Sequence, residues 1–173
     1  MIKNSQLIDS KTHIFKILDF ITIQLFGGFL WQGDDIDNPN VRGSNFWAFT
    51  EPPDKAVAGI MIVDISNDIE EVDVNLLNER KLNKFDELLR LSNSEDKEII
   101  EWLGSKLITT EGIQKLETQF IYKQGGSTFQ NIEIRFLKAG KKIAVLCKYD
   151  LALKDPLARL ISKSIQSVKV DSN

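Results

Sequence analysis

The sequence has almost no cysteine or histidine: Cys147 is the one cysteine and His13 the one histidine among 173 residues. A single cysteine cannot form an intramolecular disulfide, and it cannot supply the ligands of a four-cysteine zinc site. Any Ser-His-Asp or Cys-His catalytic arrangement would have to use His13. Because neither residue lies in a catalytic motif, we expect His13 to be an exposed or half-buried strand residue and Cys147 to be a buried structural thiol.

The sequence also lacks an excess of either charge and lacks a long hydrophobic run. Its 22 basic and 25 acidic residues give a net charge of −3, and this balance is atypical of a dedicated nucleic-acid-binding protein. Lys16, Asp19 and Gln24 interrupt the apolar stretch from Ile14 to Trp31, so the stretch indicates neither a membrane span nor a secretory signal. We expect a cytoplasmic protein with no nucleic-acid partner.

Motifs that bind phosphate or metal ions are missing as well. The glycine pairs at 27–28 and 125–126 have neither the phosphate-loop spacing GxxxxGKS/T nor the dinucleotide spacing GxGxxG. An acidic loop is the nearest approach to a cation site, and it contains Asp34, Asp35, Asp37 and Asn38. It lacks the glycine and the distal glutamate of a calcium-binding loop. A solvated turn is the favoured interpretation, and we predict no catalytic residue, no metal site and no cofactor.

The hydrophobic pattern predicts an α/β (α+β) fold with a mainly antiparallel sheet. Strands are predicted at 20–26, 45–50, 57–65, 115–123, 131–136, 143–149 and 167–170, and helices at 75–91, from a cap at Ser94 to Gly104, and at 156–166. The strands at 57–65 and 143–149 are apolar on both faces and need cover above and below. We therefore predict a three-layer α/β/α sandwich forming a single domain over 1–173. An α+β sheet with all helices on one face is the rival.

The helix predicted at 75–91 has a clear apolar side. At a period near 3.6, that side is made by Leu77, Leu82, Phe85, Leu88 and Leu89. We expect these five side chains to face the core.

The segment from residue 26 to residue 49 is unusually rich in aromatic side chains. They are Phe26, Phe29, Trp31, Phe46, Trp47 and Phe49. Aromatic side chains anchor protein interfaces, but they also fill cores, and the pattern leaves both alternatives open. The candidate partner-binding residues are Phe29, Trp31, Asp34, Asp35, Asp37, Phe46 and Trp47. A second candidate surface is a sheet edge near Phe129 to Phe136, which would accept a partner by strand addition.

Three segments carry a family resemblance: 25–29, 140–146 and 164–170, with the sequences LFGGF, GKKIAVL and SIQSVKV. Together with the order of the predicted elements, they resemble the PsbP-like α/β/α sandwich family. This family includes PsbP of photosystem II, a Ran-binding nuclear-import factor and bacterial chaperones of type VI secretion effectors. The intracellular bacterial branch fits best.

The resemblance implies a non-enzymatic protein-binding module, a chaperone or adaptor for a secreted effector. Its partner would be another protein, and homodimerisation through the same surface is compatible with this role. One alternative is an immunity protein whose acidic loop, with Asp34, Asp35 and Asp37, plugs the basic active site of a toxin. Another is a small-ligand or metal-dependent enzyme that uses the 34–38 loop, with Trp31 or Trp47 as a wall.

Overall fold

The computed structural model describes residues 6–7, 12–26, 29, 31–33, 43–50, 56–68, 72–153 and 157–171, and of residues 6–7, 31–33 and 157 it describes the backbone only. These residues form eleven strands, two α-helices and a 3-10 turn. The elements are β1 (Gln6–Leu7), β2 (His13–Ile17), β3 (Ile21–Leu25), β4 (Trp31–Gly33), β5 (Phe46–Phe49), β6 (Ala58–Asp64), the 3-10 turn (Val74–Leu76), α1 (Glu79–Asp96), β7 (Glu98–Thr110), β8 (Ile113–Gln124), β9 (Ser127–Lys138), β10 (Lys141–Asp150), α2 (Leu157–Gln166) and β11 (Lys169–Val170).

The chain divides into two compact units. Unit 1 comprises Met1–Val63, Cys147–Tyr149 and Leu153–Asn173, and unit 2 comprises Asp64–Leu146 and Asp150–Ala152. Strand β10 contributes residues to both units, so the division does not by itself separate two domains. The single domain over 1–173 stays a prediction.

Unit 1 contains helix α2 and strands of two antiparallel sheets. The first sheet contributes β1, β4, β5 and β6 in that order, and the second is β11-β3-β2. Strand β3 buries Ile21, Ile23 and Leu25, as the period of two along a strand requires. Helix α2 packs against β3 and buries Ile161 and Ile165. These one-sided apolar patterns build the core of the unit.

Two serine hydroxyls fix α2 to β3. The backbone N–H of Phe26 donates a hydrogen bond to Ser164 Oγ at 2.8 Å, and that of Gln24 donates to Ser167 Oγ at 2.9 Å. Ser164 is fully buried, where an unpaired polar group would destabilise the fold. The two serines therefore satisfy backbone donors at the C-terminal end of β3 and directly after it.

Unit 2 is a sheet in the order β10-β9-β8-β7 with helix α1 packed against it. Strand β8 alternates cleanly and buries one face, made by Leu116, Thr118, Phe120 and Tyr122. Leu82, Phe85 and Leu89 of α1 pack on a cluster that contains Leu116. Asn78 caps the N-terminus of the helix, because its side chain accepts a hydrogen bond from the backbone N–H of Lys81 at 3.1 Å.

Two predictions for unit 2 are wrong. The segment from Ser94 to Gly104 is not a second helix: α1 continues through Asp96, and strand β7 begins at Glu98. The segment from Phe129 to Phe136 is not a sheet edge, because β9 lies between β8 and β10. Among the described strands, β7 forms the edge at this end of the sheet.

Candidate functional site

Three of the predicted partner-binding aromatic residues lie in the core of unit 1. Phe29, Phe46 and Trp47 are almost completely buried. Strand β5 pairs with β4 on one side and with β6 on the other, and all four of its residues are buried. A side chain with no exposed surface cannot contact a partner in this conformation. The partner-binding role predicted for these three residues is therefore corrected to core packing.

The other four predicted residues keep their status as predictions. For Trp31 the structure describes the backbone, which pairs with Phe49 of β5. Asp34, Asp35 and Asp37 lie outside the described residues. The histidine and cysteine predictions are confirmed, since His13 is half-buried on β2 and Cys147 is buried on β10.

Unit 2 exposes large apolar side chains on α1 and β7, two elements that contact each other, and the sequence did not indicate this exposed apolar surface. We define it by four side chains: Leu88 and Leu91 of α1 and Ile100 and Leu103 of β7, which are 54%, 60%, 50% and 47% exposed. At about 100° per residue, Leu91 lies opposite the side of α1 that carries Leu82 and Leu89, and Leu88 lies at the margin of that side, where more than half of it is exposed. The prediction that Leu88 faces the core is therefore wrong.

Ile100 and Leu103 are exposed because β7 is irregular. The register between β7 and β8 shifts between Ile99 and Glu101 and again between Trp102 and Gly104. Each shift leaves one extra residue on β7 without a partner in the ladder, as at a β-bulge. The two extra residues are apolar. Bulges on an edge strand also hinder the addition of a regular strand. A partner would therefore contact the side chains of Ile100 and Leu103 rather than pair with the backbone of β7.

Helix α1 is held against β7 by a polar contact. The indole Nε1 of Trp102 donates to both carboxylate oxygens of Asp86, at 3.1 and 3.0 Å. The Trp102 ring stacks on Phe120 at 5.3 Å between centroids, and Lys97 Nζ lies 5.9 Å from the centre of the Phe120 ring. These contacts fix the helix and the strand that carry the exposed apolar surface.

Glu133 and Arg135 of unit 2 form an ion pair with little exposed surface. Glu133 accepts hydrogen bonds from Asn131 at 2.8 Å and from Arg135 at 2.7 Å. Burial, with the charge of Glu133, raises the pKa of the Tyr122 phenol, which keeps that group neutral. Arranged in this way, the side chains of Asn131, Glu133 and Arg135 pair with each other through hydrogen bonds and stabilise the fold.

Unit 1 has a cavity of about 430 Å³ beside α2. Its described lining residues are Tyr149, Ala158, Arg159, Ser162 and Lys163. Burial raises the pKa of the Tyr149 phenol, so the hydroxyl is a hydrogen-bond donor at neutral pH. Among these five described residues, two side chains are cationic and none is a carboxylate.

Two kinds of feature are absent within the described ranges. There, no cluster of three or more histidine, cysteine, aspartate or glutamate side chains is arranged to hold a metal ion. No helix among these residues combines the length and the apolar composition that crossing a bilayer requires.

Comparison with solved structures shows the fold of this chain. No protein-family model and no curated protein matches the sequence. The solution structure of cyanobacterial PsbP (CyanoP) from Synechocystis sp. PCC 6803 aligns with a TM-score of 0.60 at 12% identity, over 94% of each chain. The chain has a PsbP-like fold. The predicted fold class, a mixed α/β sandwich with antiparallel sheets, is confirmed.

Two further structures align more loosely. A protein from Bacteroides thetaiotaomicron aligns with a TM-score of 0.43 at 8% identity, over 98% of this chain and 49% of that one. LpqN of Mycobacterium tuberculosis, which is involved in cell envelope biogenesis, aligns with a TM-score of 0.39 at 9% identity, over 96% of this chain and 90% of that one. At this level of similarity neither structure carries a functional argument, because fold does not determine function.

Proposed function

We propose that this protein is a non-catalytic protein-binding module that holds its partner on the exposed apolar surface of unit 2. The observation that carries the proposal is the exposure of Leu88, Leu91, Ile100 and Leu103 within 16 residues of sequence. Single exposed leucines are common on protein surfaces, but four exposed apolar side chains on two contacting elements, α1 and β7, favour an interaction site.

The partner in this proposal is a protein segment with an apolar face. Leu88 and Leu91 are three residues apart on one side of a helix, a spacing that suits the apolar stripe of a partner helix. Charged residues surround them, since Lys84 and Glu95 lie on the same side of α1 at about 100° per residue. An apolar centre with a polar rim is the usual composition of a protein interface.

A chaperone or adaptor for a secreted effector is the biological role that we propose for this binding. Covering an apolar segment of another protein until delivery requires an accessible apolar surface and no catalytic group. The PsbP-like fold and the surface of unit 2 are compatible with that role. The immunity-protein alternative uses different residues, because it depends on Asp34, Asp35 and Asp37.

Photo-crosslinking in the cells that express the protein tests the proposal. Benzoylphenylalanine is placed at position 88 or 100, and at the exposed polar position 83 as a control. We expect one crosslinked protein at positions 88 and 100 and none at 83. The same protein should be lost when Leu88→Asp and Leu91→Asp are combined. It should be kept when Asn83→Asp and Arg90→Gln are combined, a control that changes the charge of α1 by the same amount on another side of the helix.

The crosslinking result distinguishes binding at the exposed apolar surface from the immunity-protein alternative. A crosslink that survives Leu88→Asp/Leu91→Asp would overturn the assignment to this surface. A partner that instead disappears on deletion of residues 34–37 would favour the immunity-protein function. Circular dichroism of each variant shows whether α1 remains folded.

A further inference from the structure

The cavity of unit 1 is large enough for a small molecule. Its volume of about 430 Å³ lies within the range of roughly 300–1,000 Å³ that is typical of small-molecule sites. None of the four residues of the exposed apolar surface lines it. The cavity is therefore a feature that the proposed protein-binding function does not use.

The lining residues of α2 follow from the helical period. Ala158 and Ser162 are four residues apart, and so are Arg159 and Lys163, so the two pairs form adjacent stripes on one side of the helix. The other side of α2 buries Ile161 and Ile165 and is hydrogen-bonded to β3 through Ser164. Because the inner side is fixed, the Ala158/Ser162 and Arg159/Lys163 stripes hold their position at the cavity.

The charges of the lining favour an anion. Arg159 and Lys163 contribute two positive charges on successive turns, and the hydroxyls of Tyr149 and Ser162 can donate hydrogen bonds. Arg159 lies in the first turn of the ten-residue helix α2 and Lys163 in its last turn, so the partial charges of the two helix ends act in opposite directions on this pair. An anion in this cavity would thus meet donors from two elements.

The same lining also has apolar parts. Phe26 is not among the described lining residues, but Lys163 Nζ lies 5.9 Å from the centre of its ring, a distance at which a cation and an aromatic ring attract each other. The methyl group of Ala158 and the ring of Tyr149 add apolar area. The cavity therefore combines a cationic side with an apolar wall.

We propose that this cavity binds a small organic anion, with its acidic group between Arg159 and Lys163 and its apolar body against Tyr149 and Ala158. The chemical class is an aromatic or aliphatic carboxylate, sulfonate or phosphate of one acidic group. Inorganic anions lack the apolar body and should bind more weakly.

Two fluorescent probes that share one skeleton test this proposal. They are 8-anilinonaphthalene-1-sulfonate, which carries the anionic group, and N-phenyl-1-naphthylamine, which lacks it. We expect the sulfonate probe to bind the full chain with one-to-one stoichiometry, at least tenfold more tightly than the neutral probe. Raising the sodium chloride concentration should weaken binding of the sulfonate probe only, because salt screens the charges that distinguish the two.

Matched variants locate the binding. The combination of Arg159→Gln and Lys163→Gln should weaken binding of the sulfonate probe at least tenfold. The combination of Lys16→Gln and Lys169→Gln removes the same charge from exposed positions of the same unit, and it should change the affinity by less than twofold. Equal affinity for the two probes, or unchanged affinity in the Arg159/Lys163 variant, would overturn the proposal.

One more variant keeps the two proposals independent. Anilinonaphthalene probes also bind exposed apolar surface, so Leu88→Ser and Leu91→Ser are combined and titrated in the same way. Unchanged binding in this variant supports the cavity of unit 1. Loss of binding here would assign the probe to unit 2 and overturn the anion site, while leaving the protein-binding proposal to its own crosslinking test.

Discussion

The ring of Phe49 lies directly against the backbone of Gly59, its antiparallel partner across strands β5 and β6. A Cβ atom on residue 59 would overlap Cδ1 and Cε1 of that ring. Phe49 is itself buried and packs with Trp47, whose ring centroid lies 5.7 Å away. The glycine thus leaves room for an aromatic side chain that fills the core of unit 1.

Substitution of this glycine should destabilise the protein. We expect Gly59→Ala to lower the free energy of unfolding by about 1–3 kcal/mol, because the ring of Phe49 must leave its packed position. Combining it with Phe49→Leu should cost less than the sum of the two single changes, since the smaller side chain makes room for the methyl group. Urea denaturation of the four proteins measures this coupling. Strict additivity would show that the ring does not limit residue 59.

The contact between Asp86 and Trp102 is expected to stabilise the packing of α1. Asp86→Ala should lower the free energy of unfolding by about 1–2 kcal/mol, because a half-buried indole N–H loses a charged acceptor. In the Trp102→Phe background, which has no donor, the same change should have much less effect. Denaturation curves give the coupling, and the indole N–H resonance of Trp102 should shift in Asp86→Ala. A coupling energy near zero would contradict the prediction.

The ion pair between Asp64 and Lys141 should make stability depend on pH. Lys141 Nζ donates to Asp64 Oδ2 at 2.6 Å. That hydrogen bond, with those from Ser66, lowers the pKa of the Asp64 carboxyl from its ordinary value of 3.8. Because the folded pKa is depressed, the stabilisation is present above pH 3.8 and is lost as the pH falls through the folded pKa.

We therefore expect Asp64→Asn to lower the free energy of unfolding by up to about 1 kcal/mol at pH 7. The difference from the unmodified protein should shrink below pH 3.8, where Asp64 is also becoming neutral. Denaturation at pH 7, 5 and 3 measures it. Glu87→Gln removes the same charge from an exposed position of α1 and serves as the control. A difference that stays constant down to pH 3 would argue against a role for the carboxylate charge.

Regular periodicity made most elements of the fold predictable. Alternation along 115–123 and 131–136 predicted β8 and β9, and the Asp-Pro pair at 155–156 placed the start of α2 within a residue or two. Strand β7 was missed because its two bulges break the period of two. Ile99, Trp102 and Leu103 instead follow the i, i+3, i+4 spacing of a helix, with Gly104 at the position where a helix would end.

The candidate site was harder to predict than the fold. The many aromatic side chains between residues 26 and 49 were the basis of the predicted site, but β5 buries its aromatic side chains on both faces. Composition does not reveal which strands lie in the middle of a sheet. Leu88 and Leu91 occur on a helix rich in leucine, and Leu88 fits a broad inward side nearly as well as an outward one. Their exposure depends on how α1 rests on β8, which is a tertiary contact that the helical period alone does not specify.

The serine contacts between α2 and β3 join segments that are synthesised far apart in time. Gln24 and Ser167 are 143 residues apart, and a ribosome adding roughly 5–20 residues per second takes roughly 7–30 s to deliver the second after the first. Unit 2, which is almost continuous in sequence, emerges completely within that interval. Strand β3 is therefore synthesised well before α2. Its apolar residues remain uncovered by α2 while strands β7 to β10 of unit 2 are already available to pair.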